Sequence, residues 1–321
     1  MSKLLLLNKW DVVGLDGMTD YYDVNLKYER LKILDKYENF YSYKNLIQDK
    51  IVLQEISDRF NPKIIIHLAA QAGVRFSIEN PISYTESNLL GTFHILELAR
   101  KLQPDHFLIA STSSVYGNNQ QLPFEENQKC DNPISYYAAT KKANEVMAHS
   151  YSHLYNIPTT IFRFFTVYGP WGRPDMALFK FTKNILLGKS IDVYNNGNMK
   201  RDFTYIHDLV RAINLLINVI PPKLDNRKSI LKNDSLSNTA PYRIVNIGNA
   251  KPTNLLVYIQ ELENKLGILS NKNFLEMQDG DVVETHSNIN LLNSLTGFSP
   301  KISLKKGISD FVDWYKSYYK Y

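Results

Sequence analysis

Tyr137 and Lys141 are spaced as Tyr-x-x-x-Lys, which in a helix places a phenol and an ammonium on the same face. A free tyrosine has a pKa of about 10, so it must lose roughly 3 pKa units, about 4 kcal/mol, to act as a base near neutral pH. A nearby cation is the direct means of lowering that pKa. Because Tyr28 and Lys32 show the same spacing without other signs of a site, the motif predicts proton transfer only where its surroundings support it.

Three further segments bring polar groups to the ends of apolar runs. Ser111–Gly117 begins with four consecutive hydroxyls, Arg163–Pro174 contributes a hydroxyl and an arginine, and Asn196–Phe203 adds two cations. Open α/β sheets bind ligands beyond the carboxyl ends of their strands. The segments therefore predict a ligand site around Tyr137, although each segment taken alone also fits a solvated loop.

The elements that must position these groups are short apolar runs that alternate with segments of helical period. The predicted strands are Asp11–Leu15, Lys63–Ala70, His106–Ser111 and Thr159–Thr166, and the predicted helices are Tyr84–Gln103, Ser135–Tyr155, Met176–Leu187, Asn254–Leu266 and Leu304–Tyr319. Such alternation is typical of buried parallel strands covered by helices. It predicts an α/β protein with a doubly wound parallel sheet and a smaller C-terminal cap. Residues 221–242 are polar and show no period, which predicts a surface loop.

The composition excludes several classes of protein. Of 321 residues, 44% are hydrophobic and 21% charged, as in ordinary folded domains rather than disordered or fibrous chains. The net charge of +5 comes without a run of like charges, and an anionic small molecule explains it as well as DNA would. No apolar run approaches about 18 residues, and we expect a small-molecule partner and no nucleic acid or membrane. A single cysteine, Cys130, excludes an internal disulfide and fits a cytoplasmic location. His149 and His153 lie four residues apart without a third ligand, so no metal site is predicted.

Jointly the motifs resemble those of the extended short-chain dehydrogenase/reductase superfamily, and most closely the UDP-glucuronate 4-epimerases. The resemblance spans essentially the whole chain and is carried by Val12–Asp16, His67–Arg75, Ser111–Gly117, Tyr137–Lys141, Arg163–Ala177, Arg201–Ile206 and Gly280–Val282. It implies an NAD-dependent isomerase in which the C4 hydride of the sugar passes to bound NAD. The 4-keto sugar then turns over and the hydride returns to its other face, so no net oxidation occurs.

The resemblance also implies roles for the matching residues. Tyr137 would remove the proton of the sugar O4, Lys141 would lower the pKa of Tyr137 and hold the nicotinamide ribose, and Thr112 would hydrogen-bond O4. Asp16 would accept hydrogen bonds from the adenosine ribose, which favours NAD over its 2′-phosphorylated relative. The other implied cofactor-binding residues are Leu68, Ala69, Ala70 and, where the family usually has an aspartate near the adenine, Asn45.

The substrate-binding residues are implied in the same way. Arg75 is one of them, and those around the sugar are Ser113, Ser114, Thr166 and Arg173. Around the nucleotide they are Tyr194 over the uracil, Arg201 at the diphosphate, and Gln278 and Asp281 near the uridine ribose. The family further implies an NAD-binding domain over residues 1–168 and a nucleotide-sugar-binding domain over 169–321, with 202–218 and 243–248 returning to the first domain. A homodimer through the helices near Tyr84 and Ser135 is also expected.

Two other functions stay open at this point. A dehydratase or decarboxylase of the same superfamily would carry an acid where this chain has Ser113 and Ser114, and without it no group is placed to protonate a leaving hydroxyl. Epimerases of neutral hexoses have an asparagine in place of Thr166, whereas hydroxyls beside Arg173 suit a carboxylate. The remaining alternative is a catalytically inactive protein that binds a nucleotide-sugar.

The chain departs from the family pattern near its start. A dinucleotide fold has a strand, a Gly-x-x-Gly-x-x-Gly turn and a helix about 20 residues before the ribose carboxylate. Here 15 residues precede Asp16, and Ser2–Leu7 resembles only the tail of that helix. Whether through a mis-assigned start or a truncation, the pattern predicts a gap in the middle of the sheet, poor folding and weak NAD binding.

Overall fold

The computed structural model describes residues 1–227, 231 and 233–321. In this part of the chain the strands are β1 Val12–Leu15, β2 Phe40–Tyr43, β3 Ile64–His67, β4 His106–Thr112, β5 Thr159–Phe164, β6 Thr166–Tyr168, β7 Ile191–Tyr194, β8 Lys200–Tyr205, β9 Tyr242–Ile247, β10 Pro252–Asn254 and β11 Lys272–Leu275. The α-helices are α1 Ser2–Leu7, α2 Val24–Leu34, α3 Lys50–Phe60, α4 Phe76–Glu79, α5 Pro81–Tyr84, α6 Gly91–Leu102, α7 Tyr136–Tyr155, α8 Ala177–Leu186, α9 Ile206–Leu216, α10 Leu255–Leu266, α11 Asn290–Thr296 and α12 Leu304–Tyr319.

A parallel sheet in the order β3-β4-β5-β9 forms the centre of the molecule. Its strand β4 is buried at all seven positions, as expected for a strand covered by helices on both faces. The α/β class with parallel sheets is therefore confirmed. Two small sheets, β10-β8-β6 and β11-β7, lie in the C-terminal half.

The sheet is divided at the place where the sequence predicts a gap. β1 pairs with β2 in parallel and β3 pairs with β4, and no ladder joins β1 to β3 within the residues described. The two parts are held together by side chains, because Leu6 of α1 and Val12 of β1 belong to one buried cluster with Leu108 and Phe162. The expected consequences for folding and NAD binding stay predictions.

Most of the predicted helices are confirmed to within a residue or two. The predicted helix Ser135–Tyr155 is α7, which Ser135 caps by accepting a hydrogen bond from the amide of Ala138. The predicted helix Tyr84–Gln103 is interrupted, because Thr85–Leu90 forms a π-helical segment before α6. The sequence did not reveal α2, β2 or α3. The loop predicted over 221–242 includes residues 228–230 and 232, which lie outside the described residues, and it ends where β9 begins.

The predicted strand Lys63–Ala70 is too long, since β3 ends at His67. Beyond it the chain is held by Asn88, a fully buried residue of the π-helical segment. Its side chain accepts from the amide of Gln71 at 2.8 Å and donates to the carbonyl of Gln71 at 3.0 Å. It also donates to the Thr140 hydroxyl at 3.0 Å. Asn88 thereby replaces a strand partner and fixes this loop against α7.

The chain returns to the central sheet in its second half. Leu209 and Ile213 of α9 pack in the same cluster as Val245, and β9 pairs with β5. A separate cluster of aromatic and aliphatic side chains lies between α8, α10 and α12. Across the described part of the chain, no helix is long and apolar enough to cross a lipid bilayer.

Candidate active site

A cavity of about 1280 Å³ lies beyond the carboxyl ends of β1, β3, β4 and β5. Of the residues predicted from the sequence, those on its lining are Asp16, Leu68, Ala69, Ala70, Arg75, Thr112, Ser113, Ser114, Tyr137, Lys141, Thr166, Arg173, Tyr194, Arg201 and Asp281. The structure does not bring Asn45 or Gln278 to this lining. The Asn45 amide instead donates to the carboxylate of Asp49 at 3.1 Å.

Tyr137 lies in the first turn of α7, and its ring meets the ring of Tyr84 edge to face at 6.0 Å. Burial raises the pKa of the Tyr137 phenol, while the positive charge of Arg173 and the hydroxyl of Thr112 act in the opposite direction. Arg173 is thus a cation that favours the phenolate of Tyr137. The expected lowering of this pKa by Lys141 stays a prediction.

Lys141 follows Tyr137 by one helical turn and is only 2% exposed. Its ammonium makes no hydrogen bond or ion pair with the described residues. Burial lowers the pKa of Lys141 to about 8, an effect that the carboxylate of Glu145 partly offsets. A buried ammonium that lacks a partner and lies on a cavity wall can bind a hydroxyl or an anion from a ligand.

Glu145 and Arg163 form a buried ion pair behind Lys141, and both side chains are at most 2% exposed. The guanidinium donates from Nε and Nη2 to the two carboxylate oxygens, each at 2.9 Å. Ser111 Oγ donates to the same carboxylate at 2.6 Å. Burial alone would raise the pKa of Glu145, but Arg163 outweighs it and holds the pKa below its usual value. The pair joins α7 to β4 and β5, and so places Lys141 relative to Thr112.

Sequence reasoning missed this pair. Its signals were an arginine at the end of an otherwise apolar strand and a glutamate one turn after Lys141.

Arg173 does not point freely into the cavity. Its Nε and Nη2 donate to the two carboxylate oxygens of Asp175, at 3.0 and 2.9 Å. The Tyr21 hydroxyl donates to the same carboxylate at 3.3 Å. Burial would lower the pKa of Arg173, but Asp175 outweighs it and the pKa is raised. Asp175 and Tyr21 also line the cavity, and sequence reasoning assigned neither of them.

The other end of the cavity is closed by contacts between distant segments. The Arg75 guanidinium lies over the Tyr194 ring, 4.4 Å from its centre, and Nη2 donates to Asp281 at 3.3 Å. Arg201 donates from Nη1 to the carbonyls of Lys200 and Val283, both at 3.0 Å. This end therefore offers two cations and an aromatic face, which suit a nucleotide.

The residues at two places on the lining fit a nicotinamide dinucleotide. Asp16 ends β1 and uses one carboxylate oxygen to accept from the amide of Met18 at 2.8 Å. Its second oxygen has no partner among the described residues and can accept from a ribose hydroxyl. Lys141 offers an ammonium without a partner at the other place. Ala69 and Ala70 lie between them in the loop after β3 and are small enough for a close approach.

Comparisons with known proteins all indicate similarity to NAD-dependent epimerases. The NAD dependent epimerase/dehydratase family matches residues 1–225. The chain is 50% identical over 321 residues to the probable UDP-glucuronate 4-epimerase of Rhizobium meliloti (strain 1021), which covers 100% of this chain and 94% of that protein. It is 43% identical over 316 residues to UDP-glucuronate 4-epimerase 1 of Arabidopsis thaliana, covering 97% of this chain and 72% of the relative.

A solved structure is also similar. It is the crystal structure of UDP-glucuronic acid 4-epimerase from Bacillus cereus in complex with UDP-glucuronic acid and NAD. The TM-score is 0.87 at 30% sequence identity, and the match covers 99% of this chain and 95% of that chain.

The buried ion pair yields a prediction about stability. Glu145→Gln leaves the Arg163 charge buried without a counter-charge, so we expect the free energy of unfolding to fall by about 3 to 5 kcal/mol in urea titrations. Replacing both residues, Glu145→Leu with Arg163→Met, removes both charges and should restore most of that loss. Asp313→Asn, in the exposed pair with Lys265, serves as the control and should cost less than about 1 kcal/mol. Equal losses from Glu145→Gln and Asp313→Asn would contradict the prediction.

The pKa of Lys141 yields a prediction about pH. That pKa is about 8 in the folded protein, against 10.5 for the unperturbed side chain. The unfolded chain holds the proton more tightly, so Lys141 costs about 3 kcal/mol of stability below pH 8, and the cost disappears as the pH rises toward 10.5. Lys141→Met should therefore raise the melting temperature at pH 7 and raise it much less at pH 10. The exposed control, Lys101→Met, should show the same small change at both pH values.

Proposed function

The chain belongs to the NAD dependent epimerase/dehydratase family, and from this premise we propose that it inverts C4 of a UDP-hexuronate. The reaction converts UDP-glucuronate to UDP-galacturonate through a transient 4-keto sugar. The observation that carries the proposal is the composition of the cavity wall. Thr112, Tyr137 and Lys141 line the same space as Arg173 and Thr166, so proton transfer and carboxylate binding can act on one small molecule.

Tyr137 is proposed as the group that takes the O4 proton of the sugar and gives it back. Its pKa is raised by burial in the structure, so the phenol needs positive charge close by to lose its proton near neutral pH. Arg173 contributes such a charge, and Thr112 is proposed to hold O4. When bound, NAD supplies a hydride acceptor and donor.

Ser113, Ser114 and Thr166 are proposed to surround the sugar carboxylate with hydroxyls, next to Arg173. The place where a dehydratase or decarboxylase would need an acid holds only the hydroxyls of Ser113 and Ser114. Without an acid there, no group assists the departure of a hydroxyl. This supports epimerisation over elimination.

Asp16 is proposed to hold the adenosine ribose and Lys141 the nicotinamide ribose, with Leu68, Ala69 and Ala70 along the cofactor between them. Asn45 stays proposed for the adenine, although the structure pairs it with Asp49. On the nucleotide of the substrate, the proposed contacts are Tyr194 on the uracil, Arg75 and Arg201 at the diphosphate end, and Gln278 and Asp281 at the uridine ribose.

The division into residues 1–168 and 169–321 is proposed as the boundary between NAD-binding and substrate-binding domains, supported by the separate cluster of α8, α10 and α12. The return of α9 and β9 to the central sheet supports the proposed assignment of 202–218 and 243–248 to the first domain from Ile206 onward, whereas Phe203 and Tyr205 of β8 pack in the cluster of α8, α10 and α12. A homodimer and a cytoplasmic location are also proposed, the latter because the chain has one cysteine.

Incubation with NAD and UDP-glucuronate tests the proposal. Formation of UDP-galacturonate, separated from its epimer by chromatography, is the expected result. Release of carbon dioxide would instead identify a decarboxylase, and loss of water a dehydratase. Binding of UDP-glucuronate without any product would identify an inactive binding protein.

Tyr137→Phe removes one hydroxyl and should leave the fold intact. We expect kcat for epimerisation of the NAD-loaded protein to fall by roughly 10² to 10⁴, the usual effect of removing a positioned acid or base. Tyr28→Phe is the matched control, because Tyr28 has the same spacing to a lysine but lies half-exposed on α2. Equal kcat values for the two variants would remove Tyr137 from the mechanism.

Arg173→Leu tests the choice of substrate. A desolvated carboxylate that loses its cationic partner should cost about 2 to 4 kcal/mol in kcat/KM for UDP-glucuronate. UDP-glucose has no carboxylate, so its kcat/KM should lose only the smaller share that both substrates lose through the effect of Arg173 on the pKa of Tyr137. Losses of equal size with both substrates would assign Arg173 to the phenol, the fold or the diphosphate instead.

A further inference from the structure

Asp175 occupies the guanidinium of Arg173 with its carboxylate. Both carboxylate oxygens accept hydrogen bonds from one edge of the guanidinium, at 3.0 and 2.9 Å. This is the bidentate geometry in which arginine binds carboxylates most strongly. In the structure Asp175 thus makes the contact that a sugar carboxylate would otherwise make with the same edge.

Tyr21 gives Asp175 a second partner. Its hydroxyl donates to Oδ2 at 3.3 Å, and burial together with the Asp175 charge raises the pKa of Tyr21 to about 12. The phenol therefore stays protonated at ordinary pH and remains a donor. A Cβ on Gly73 would lie 3.2 Å from the Tyr21 hydroxyl and 3.8 Å from Oδ2, which places this group of side chains against the loop that follows β3.

If the sugar carboxylate and Asp175 both contact Arg173, the three groups together carry a net charge of −1, and the two carboxylates repel each other. The side chains of Arg173 and Asp175 are 31% and 23% exposed, so water weakens this repulsion without removing it, and Arg173 cannot hold both carboxylates as tightly as it holds one. A neutral sugar leaves the ion pair of Arg173 with Asp175 intact. The pair therefore neither raises nor lowers the affinity for a neutral sugar. The pair therefore affects only ligands that carry a negative charge near Arg173.

We propose that Asp175 competes with the sugar carboxylate for Arg173 and sets how tightly hexuronates are held. The proposal rests on the proposed function. When the carboxylate of the sugar takes Arg173, Asp175 keeps the hydrogen bond from Tyr21. When Asp175 takes Arg173 back, the sugar carboxylate is released. An ion pair between Arg173 and the sugar carboxylate that forms and breaks readily suits epimerisation. The 4-keto sugar must turn over between the two hydride transfers, and a permanent ion pair would oppose that rotation.

Asp175→Asn removes the competing charge and nearly keeps the shape of the side chain. In calorimetric titrations of the NAD-loaded protein, made in a Tyr137→Phe background to prevent turnover, we expect the Kd for UDP-glucuronate to fall about tenfold. The Kd for UDP-glucose should change less than twofold. With Tyr137 present, kcat for UDP-glucuronate should fall together with KM, because the sugar is held too tightly to turn.

Tyr21→Phe should act in the opposite direction. Without the Tyr21 hydroxyl, Asp175 has no hydrogen bond left when it leaves Arg173, so its displacement by the sugar carboxylate costs more free energy. The Kd for UDP-glucuronate should therefore rise severalfold, while the Kd for UDP-glucose stays constant. Asp192→Asn is the matched control. Asp192 lines the same cavity but accepts from the Asn273 amide at 2.9 Å, so its loss should shift both Kd values equally.

Unchanged or weaker binding of UDP-glucuronate by Asp175→Asn would overturn the proposal and show that Asp175 only holds Arg173 in place. If the unaltered protein still epimerises UDP-glucuronate in that case, the proposed function stands. If the unaltered protein binds neither sugar nucleotide, the proposed function fails and the competition falls with it.

Discussion

The buried pair of Glu145 and Arg163 is the interaction on which the rest of the site depends. Helix α7 carries Tyr137 and Lys141, whereas Thr112 ends β4, and backbone hydrogen bonds do not connect the helix to the strand. The pair makes that connection, with Ser111 as the contact on β4 and Arg163 as the contact on β5. Burying two charges costs several kcal/mol for each ion unless they are paired and hydrogen-bonded. Any displacement of α7 along the sheet would break these bonds, so the pair restricts the helix to one position.

Burial shifts the pKa values of Tyr137 and Lys141 in the directions that disfavour proton transfer near neutral pH. It raises the pKa of Tyr137 and lowers the pKa of Lys141 to about 8. Charges placed around the pair oppose both effects, since Glu145 favours the charged ammonium and Arg173 favours the phenolate. Arg173 in turn is balanced by Asp175. The charges of the cavity wall are thus coupled in a chain, and a change at Asp175 reaches the phenol through Arg173.

The sequence predicts best what depends on local pattern. Helices α7, α8, α10 and α12 follow from their helical period, and the site at the hydroxyl segment that begins in β4 follows from its place at a strand end. Asp175 and Tyr21 were missed because their contact joins residues 154 positions apart, which no local pattern reveals. The effect of Lys141 on the pKa of Tyr137 stays a prediction, because a shared helix face does not by itself weigh the charge of Lys141 against the burial of Tyr137.

The divided sheet has a consequence for the cofactor. Asp16 ends β1, which pairs with β2, whereas Lys141 lies on α7, which packs against β4 and β5 of the other sheet. No ladder within the described residues fixes the two sheets relative to each other. They are held by packing of side chains such as Leu6 and Leu108 and by side-chain contacts such as the ion pair of Lys101 with Asp58. A dinucleotide held at both Asp16 and Lys141 would bridge the sheets. Because a ligand stabilises the state that binds it, binding of such a dinucleotide would be coupled to the relative position of the two sheets.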